Sequence, residues 1–309
     1  MPPPRANLLA GAAGGLAAFI WASYYILLVL LPRVPTPTVI VVPFLVAGSA
    51  FLVGHPGRLR RGAATLLRRL PTPAGIALGL IFLILQIDVV LATRLTGAVD
   101  AALVTLLADV VATPLLVFAL LRQDADRFRS VAFWGGVAVA ALGAVGTIFA
   151  GGSGRPLTLA GAASLIPLPF LVAVFFVWVN EESRSTPAGE VLGAAALLAG
   201  FVGLAGGVLL FGPGWTSAPL APAQWAALLA MGLSSFYLAP WAYFWAAQRT
   251  SILVPAVLQA LIPVFTLVLV AALIAPVPWI AWVGVPLAFG GSAVAVLAPE
   301  RAQHAHPSG

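Results

Sequence analysis

Residues 131–149 read VAFWGGVAVAALGAVGTIF, and residues 279–298 read WIAWVGVPLAFGGSAVAVLA. Neither stretch holds a charged residue. Each is about as long as a helix must be to cross ~30 Å of hydrocarbon at 1.5 Å per residue. They also match in detail, because Trp134, Gly136 and Gly143 recur as Trp282, Gly284 and Gly291, each 148 positions later. An apolar span that occurs twice raises two questions: how many such spans the chain holds, and how large the repeated unit is.

Working outward, the hydropathy predicts ten spans, at 8–31, 38–54, 74–93, 98–121, 131–149, 159–179, 189–211, 224–246, 252–275 and 279–298. Of the 309 residues, 61% are hydrophobic and only 8% are charged, and the mean hydropathy is +1.08. A soluble domain carries about 25% charged residues, so a water-soluble enzyme is excluded and a multi-pass protein of the plasma (inner) membrane is expected. The first span follows Met1-Pro-Pro-Pro-Arg-Ala-Asn7 and is longer than a signal-peptide core, so it reads as a retained helix.

All fifteen basic residues are Arg. An alternating path that starts in the cytoplasm puts twelve of them inside and three (Arg33, Arg94 and Arg155) outside. Short cytoplasmic loops retain positive charge, so both termini are expected in the cytoplasm. The pI near 11.0 is thereby a topology signal, with no nucleic-acid partner implied. The partners expected are the bilayer and a small-molecule solute.

The repeat extends well beyond the opening stretch. Thr36-Pro37 recurs as Thr186-Pro187 at an offset of 150, and Pro114 recurs as Pro263 at 149. Five helices per copy is an odd number, so the second copy enters the membrane from the opposite side, as in secondary transporters. The expected fold is therefore an all-α membrane protein of ten transmembrane helices in two inverted five-helix repeats. Their expected bounds are 1–153 and 154–300, followed by a short disordered cytoplasmic tail over 301–309. The loops after the second and fourth helices are Arg-rich, whereas their equivalents at 211–222 and 275–278 carry no Arg.

Trp21-Ala-Ser23 in the first helix, Arg249-Thr-Ser251 followed twelve residues later by Pro263, and the glycine-spaced last helix of each half resemble the drug/metabolite transporter superfamily, and within it the ten-helix EamA-like permeases. The chain departs from that pattern at Arg122-Gln-Asp124 and Ala275-Pro-Val277-Pro278, where the family often has Gly-Glu. The resemblance implies a carrier of metabolites or drug-like solutes that works without ATP, often as an exporter. It also implies a cavity lined by helices 1, 3, 4, 6, 8 and 9.

Several chemistries are absent. With no Lys and no Cys, there is no Walker lysine, Schiff base, thiolate or Cys-type metal site. The histidines, His55, His304 and His306, lie outside the apolar spans. No cofactor, no metal and no catalytic set is expected. Two alternatives stay open beside the carrier: a non-transporting receptor or scaffold, and a membrane-embedded enzyme using Asp, Ser, Thr or Tyr.

The candidate substrate and coupling residues begin with Asp109, eleven residues into helix 4 and near the midplane. A carboxylate there costs at least about 2.5 kcal/mol, so such residues usually face a polar cavity. Thr105, Asp109 and Thr113 are spaced by four, and Pro114 removes a backbone donor and frees the carbonyl of Val110. Gln259 stands before the matching break at Pro263. Gln86 is the deeper polar residue of helix 3. Asp88, Arg94 and Asp100 cluster at the external end as a mouth or gate. Trp21 and Tyr24 on helix 1, and Tyr237 and Trp241 on helix 8, offer rings for a planar or cationic solute. The glycines of helices 5 and 10 read as close-packing scaffold or as a homodimer face.

Overall fold

The computed structural model describes residues 4–53, 68, 72–113, 115–116, 130–149, 158–212, 219–249 and 258–297, and none of these is in a strand. The chain runs through α1 (Pro4–Leu30), α2 (Thr36–Val53) and α3 (Pro73–Thr96). Next come α4 (Ala98–Leu107, continued by the π-helical turn Ala108–Ala112) and α5 (Val131–Phe149). Helix α6 is in two pieces, Leu159–Leu165 and Leu168–Glu182, and α7 spans Ala188–Phe211. Helix α8 joins Pro222–Met231, a π-helical segment Gly232–Leu238, and Ala239–Ala247. The last two are α9 (Ile262–Leu273) and α10 (Trp279–Leu297).

Seven of these helices are long and apolar enough to cross a membrane: α1, α2, α3, α5, α6, α7 and α8. The described parts of α4, α9 and α10 are shorter apolar helices. For α4 and α9, the expected spans run on into positions outside the described residues. The expected tail 301–309 also lies outside them, as do Pro114 and the side chain of Asp109.

Helix starts follow the local chemistry. The Thr72 hydroxyl accepts from the Gly75 amide at 3.1 Å, with Pro73 at the first position of α3. Thr158 caps α6 in the same way through Gly161 at 3.0 Å. Between α3 and α4 the connection is a single residue, Gly97. Its φ of 107° lies in the region only glycine enters freely, and its N–H closes α3 on the Thr93 carbonyl at 2.9 Å.

The surface is inverted relative to a soluble protein. Along α3, Ile76, Leu80, Ile84, Ile87, Leu91 and Leu95 are exposed at steps of three and four, while Leu78, Phe82, Leu85 and Val89 are buried on the other side. An aliphatic stripe of this kind suits lipid contact, with every backbone group satisfied inside its own helix.

Two helix pairs carry the closest packing. A Cβ at Gly136 of α5 would lie 2.5 Å from the Ala295 amide nitrogen, and one at Gly143 would lie 2.6 Å from that of Ala288. Rising residue number in α5 thus meets falling number in α10, so the two helices run antiparallel. Gly48 meets Leu197 and Gly200 meets Leu45 in the same fashion, which makes α2 and α7 antiparallel too. The repeat glycines of α5 and α10 therefore pack on each other within the chain. By contrast, Gly135, Gly146 and Gly290 have open space around them.

The remaining neighbours fall into matching sets. Helix α1 packs on α8 and α9, while α6 packs on α3 and α4. Likewise α2 meets α8 where α7 meets α3, and α4 meets α5 where α9 meets α10. Shifting every label by five turns one set into the other.

Candidate substrate cavity

A cavity of about 60 Å³ lies among α1, α3, α4, α6, α8 and α9, the six helices named from the family resemblance. A water needs ~10–15 Å³ on this measure, so the space holds a few waters or one small solute. Of the expected residues, Trp21, Tyr24, Gln86, Thr105 and Gln259 line it together. Among the described lining residues none is charged.

The irregular backbone explains how α1 is held. In the π segment of α8, the Ala239 N–H bonds the Ser234 carbonyl, five residues back. The next residue, Pro240, has no N–H, so the Ser235 carbonyl gets no donor from its own helix. The Trp21 indole N–H takes that place at 3.1 Å. The sequence signal was Pro240 with Gly232 eight residues, about two turns, before it. Ser235 and Pro240 both line the cavity, and neither was among the expected residues.

Helix α4 also has a π-helical turn, where the Thr113 N–H bonds the Ala108 carbonyl, again five residues back. Pro114 lies outside the described residues, and with it the expected release of the Val110 carbonyl. Helix α9 is interrupted at the equivalent place, with a turn at Ala260–Leu261 just ahead of Pro263. Helix α6 breaks at Ile166–Pro167, a further interruption that Pro167 and Pro169 could have signalled.

Side-chain hydroxyls join α1 to its neighbours. The Tyr24 hydroxyl donates to Gln86 Oε1 at 2.9 Å. Tyr25 and Thr105 Oγ1 are 2.7 Å apart. Because the Thr105 hydroxyl proton goes to the Ala101 carbonyl at 2.9 Å, Tyr25 is the donor of that pair. Apolar rings form the rest of the wall: Phe82 stacks on Phe175 at 4.2 Å and 24°, and Trp21 stands edge-on to Phe176 at 5.7 Å. These phenylalanines were missed because a Phe inside an apolar span carries no signal of which face it occupies.

Other expected residues lie elsewhere. Tyr237 packs against Phe51 at 4.6 Å. Trp241 is 41% exposed and stacks loosely on Trp245 at 6.5 Å, on the outer side of α8. Thr113 is half-buried and does not line the cavity. Gln86 and Asp88 diverge as their two-residue spacing requires: Asp88 is half-buried, away from the cavity, with Oδ2 buried and without a hydrogen-bond partner. Asp100 is 2% exposed in the first turn of α4, where a carboxylate suits the helix dipole. Arg94 donates to Thr36 Oγ1 at 2.6 Å, to the Val34 carbonyl at 2.7 Å and to the Leu31 carbonyl at 3.2 Å, so it fastens the α1–α2 connection.

With that geometry in place, residues 161–297 match the model of the EamA-like transporter family. The matched stretch runs from α6 through the end of α10. Seven helices long and apolar enough to cross a membrane make the protein a multi-pass membrane protein. A crystal structure of another protein superposes on 94% of this chain and 99% of its own, with a TM-score of 0.65 at 20% identity, which is a likeness of fold. No curated protein matches the sequence.

Proposed function

We propose that the protein is a secondary transporter of the plasma membrane that moves a small organic solute by alternating access, as an exporter. Its two five-helix units, 1–153 and 154–300, form an inverted repeat with both termini in the cytoplasm. The cavity among α1, α3, α4, α6, α8 and α9 is the transport site. The observation that carries this reading is the antiparallel packing of matched helices, α2 on α7 and α5 on α10, around a cavity lined from both units. The family match over α6 to α10 supports this reading, since α1 to α5 are five helices as well.

The reading assigns jobs to the described residues. Trp21, bonded to the Ser235 carbonyl, ties the first unit to the second across the cavity. Gln86 and Gln259 face the solute. Asp109, whose side chain lies outside the described ones, is assigned the coupling proton from its place in the sequence of α4. Rocking of one unit on the other would turn about the two tight antiparallel pairs, which stay closed.

The test is flux in proteoliposomes. Asp109→Asn is expected to spare solute exchange and to abolish accumulation driven by a proton gradient. Gradient-driven uptake that survives in this variant removes Asp109 from coupling. An absence of any protein-dependent flux across a broad solute panel counts against the transporter reading itself.

A further inference from the structure

We propose that Asp88 of α3 and the break in α6 form a proton-binding site, in which the protonated carboxyl of Asp88 donates to the backbone carbonyl of Leu165. The site is separate from the cavity and stands whether or not the cavity carries a solute.

The register of α3 and α6 brings the two groups to one level. A Cβ at Gly161 would lie 2.8 Å from the Thr96 methyl, and Phe175 stacks on Phe82 at 4.2 Å. Rising number in α6 thus meets falling number in α3, and the two contacts are fourteen residues apart in both helices. Asp88 lies eight residues from Thr96, so it is level with Pro169, eight residues from Gly161. Asp88, Ala92 and Thr96 follow at steps of four, which keeps Asp88 on the side of α3 that meets α6. Leu165 follows Gly161 at the same step and is buried, so it belongs to the face of α6 that meets α3.

At that level each helix lacks a partner. Pro169 has no N–H, so the Leu165 carbonyl loses the donor four residues on. The next amides, of Phe170 and Leu171, both go to the Pro167 carbonyl, at 3.1 and 3.0 Å. Helix carbonyls point toward the C-terminus, which aims that of Leu165 at the level of Asp88. On α3, Asp88 Oδ2 is buried and has no hydrogen-bond partner. A carboxylate only accepts, and no donor reaches this oxygen; a protonated carboxyl donates, and the Leu165 carbonyl is an acceptor in need of a donor. Asp88 also sits about 5 Å from the middle of the 24-residue apolar helix α3, where a bare carboxylate is costly.

No described side chain supplies Asp88 with a positive charge instead. Arg94, six residues on, gives its guanidinium to Thr36 Oγ1 and to the Val34 and Leu31 carbonyls. Of the helices packed on α3, α6 brings Glu181 and Glu182 and α7 brings Glu190, all next to the α6–α7 connection. Helix α4 brings Asp100 in its first turn, α1 brings Tyr24 and Tyr25, bonded to Gln86 and Thr105, and α2 brings no charged residue. The proton thereby clasps the first piece of α6, Leu159–Leu165, to α3. Its loss to water sets a carboxylate against a carbonyl oxygen, and the repulsion frees that piece to turn at Ile166–Pro167.

The experiment is infrared spectroscopy of the full-length protein in lipid nanodiscs at neutral pH, in H2O and D2O, with thermal unfolding of the same samples. The wild type is expected to show a carboxylic-acid carbonyl band that shifts on deuteration and is lost in Asp88→Asn. Asp88→Leu removes the donor and should lower the unfolding temperature by roughly 2 °C, whereas Asp88→Asn, which keeps an N–H donor, should spare it. In the background of Pro169→Ala, where position 169 regains an N–H for Leu165, Asp88→Leu should cost at most half as much. A spectrum unchanged by Asp88→Asn overturns the proton. Sodium chloride that stabilises the wild type beyond choline chloride, but not Asp88→Asn, puts a metal ion in the proton's place and overturns it as well. Equal losses from Asp88→Leu with and without Pro169→Ala overturn the pairing with Leu165. None of these measurements needs a solute, so their failure is distinct from a failure of the flux assay.

Discussion

Replacing Gly143 with alanine should destabilise the protein, while the same change at Gly146, three residues on, should not. At Gly143 a new Cβ would stand 2.6 Å from both the Ala288 nitrogen and the Gly284 carbonyl oxygen. Comfortable carbon contacts lie near 3.5–4.0 Å, so α5 and α10 must part by roughly 1 Å. The obstructing atoms are backbone, which cannot swing aside as a side chain would. Overpacking of this kind costs about 1–3 kcal/mol. At Gly146 nothing lies within 4 Å of the new methyl, and alanine is favoured over glycine in a helix by about 0.8–1.0 kcal/mol. Thermal unfolding of the two variants in one detergent compares them directly, and the expected shifts have opposite signs. A neutral Gly143→Ala beside a destabilising Gly146→Ala would refute the packing argument. It would point to an interface with a second copy on the outer face of α5.

Two further tests address the site. Trp21→Phe leaves the Ser235 carbonyl without its donor and should cost about 1–2 kcal/mol; Pro240→Ala restores an N–H in the helix, so the double variant should lose less than the sum of the single ones. Strict additivity would mean that the indole bond and the proline are unrelated. Arg94→Gln should lower thermal stability, because three acceptors of the α1–α2 connection lose a charged donor, whereas Arg33→Gln at an exposed position should not; a selective transport defect at unchanged stability would instead make Arg94 part of a gate.

The architecture was legible in the sequence where the signal was periodic and the bilayer imposed the rule. The glycines at a fixed offset read as close-packing positions without naming the neighbour; the structure sets Gly136 and Gly143 of α5 against α10, because only a residue without a side chain lets two helices come so close. Charge placement and apolar length gave the membrane class. The cavity was only partly legible. Polar residues deep in apolar spans, such as Gln86, Gln259 and Thr105, stand out because burying them needs a reason. Trp21 and Tyr24 were found for a related cause, their polar tips. Tyr237 and Trp241 share that chemistry and still lie elsewhere, since a ring at helical spacing does not reveal which neighbour it faces. Ser235 was missed because the atom that matters is its backbone carbonyl, made available by Pro240. A break in the ladder is visible as a proline, but the shift from four-residue to five-residue bonding appears only in three dimensions.

The inverted repeat is the claim on which the transport mechanism depends, and single-cysteine labelling tests it most directly, since the chain has no native cysteine. Arg68→Cys lies in the connection after α2, and Phe211→Cys is the last residue of α7, at the start of the matched connection. A membrane-impermeant maleimide added to intact cells should modify the residue at 211 and reach the one at 68 only after the membrane is opened. Modification of both from the same side would contradict the inverted arrangement and, with it, alternating access between two opposed units.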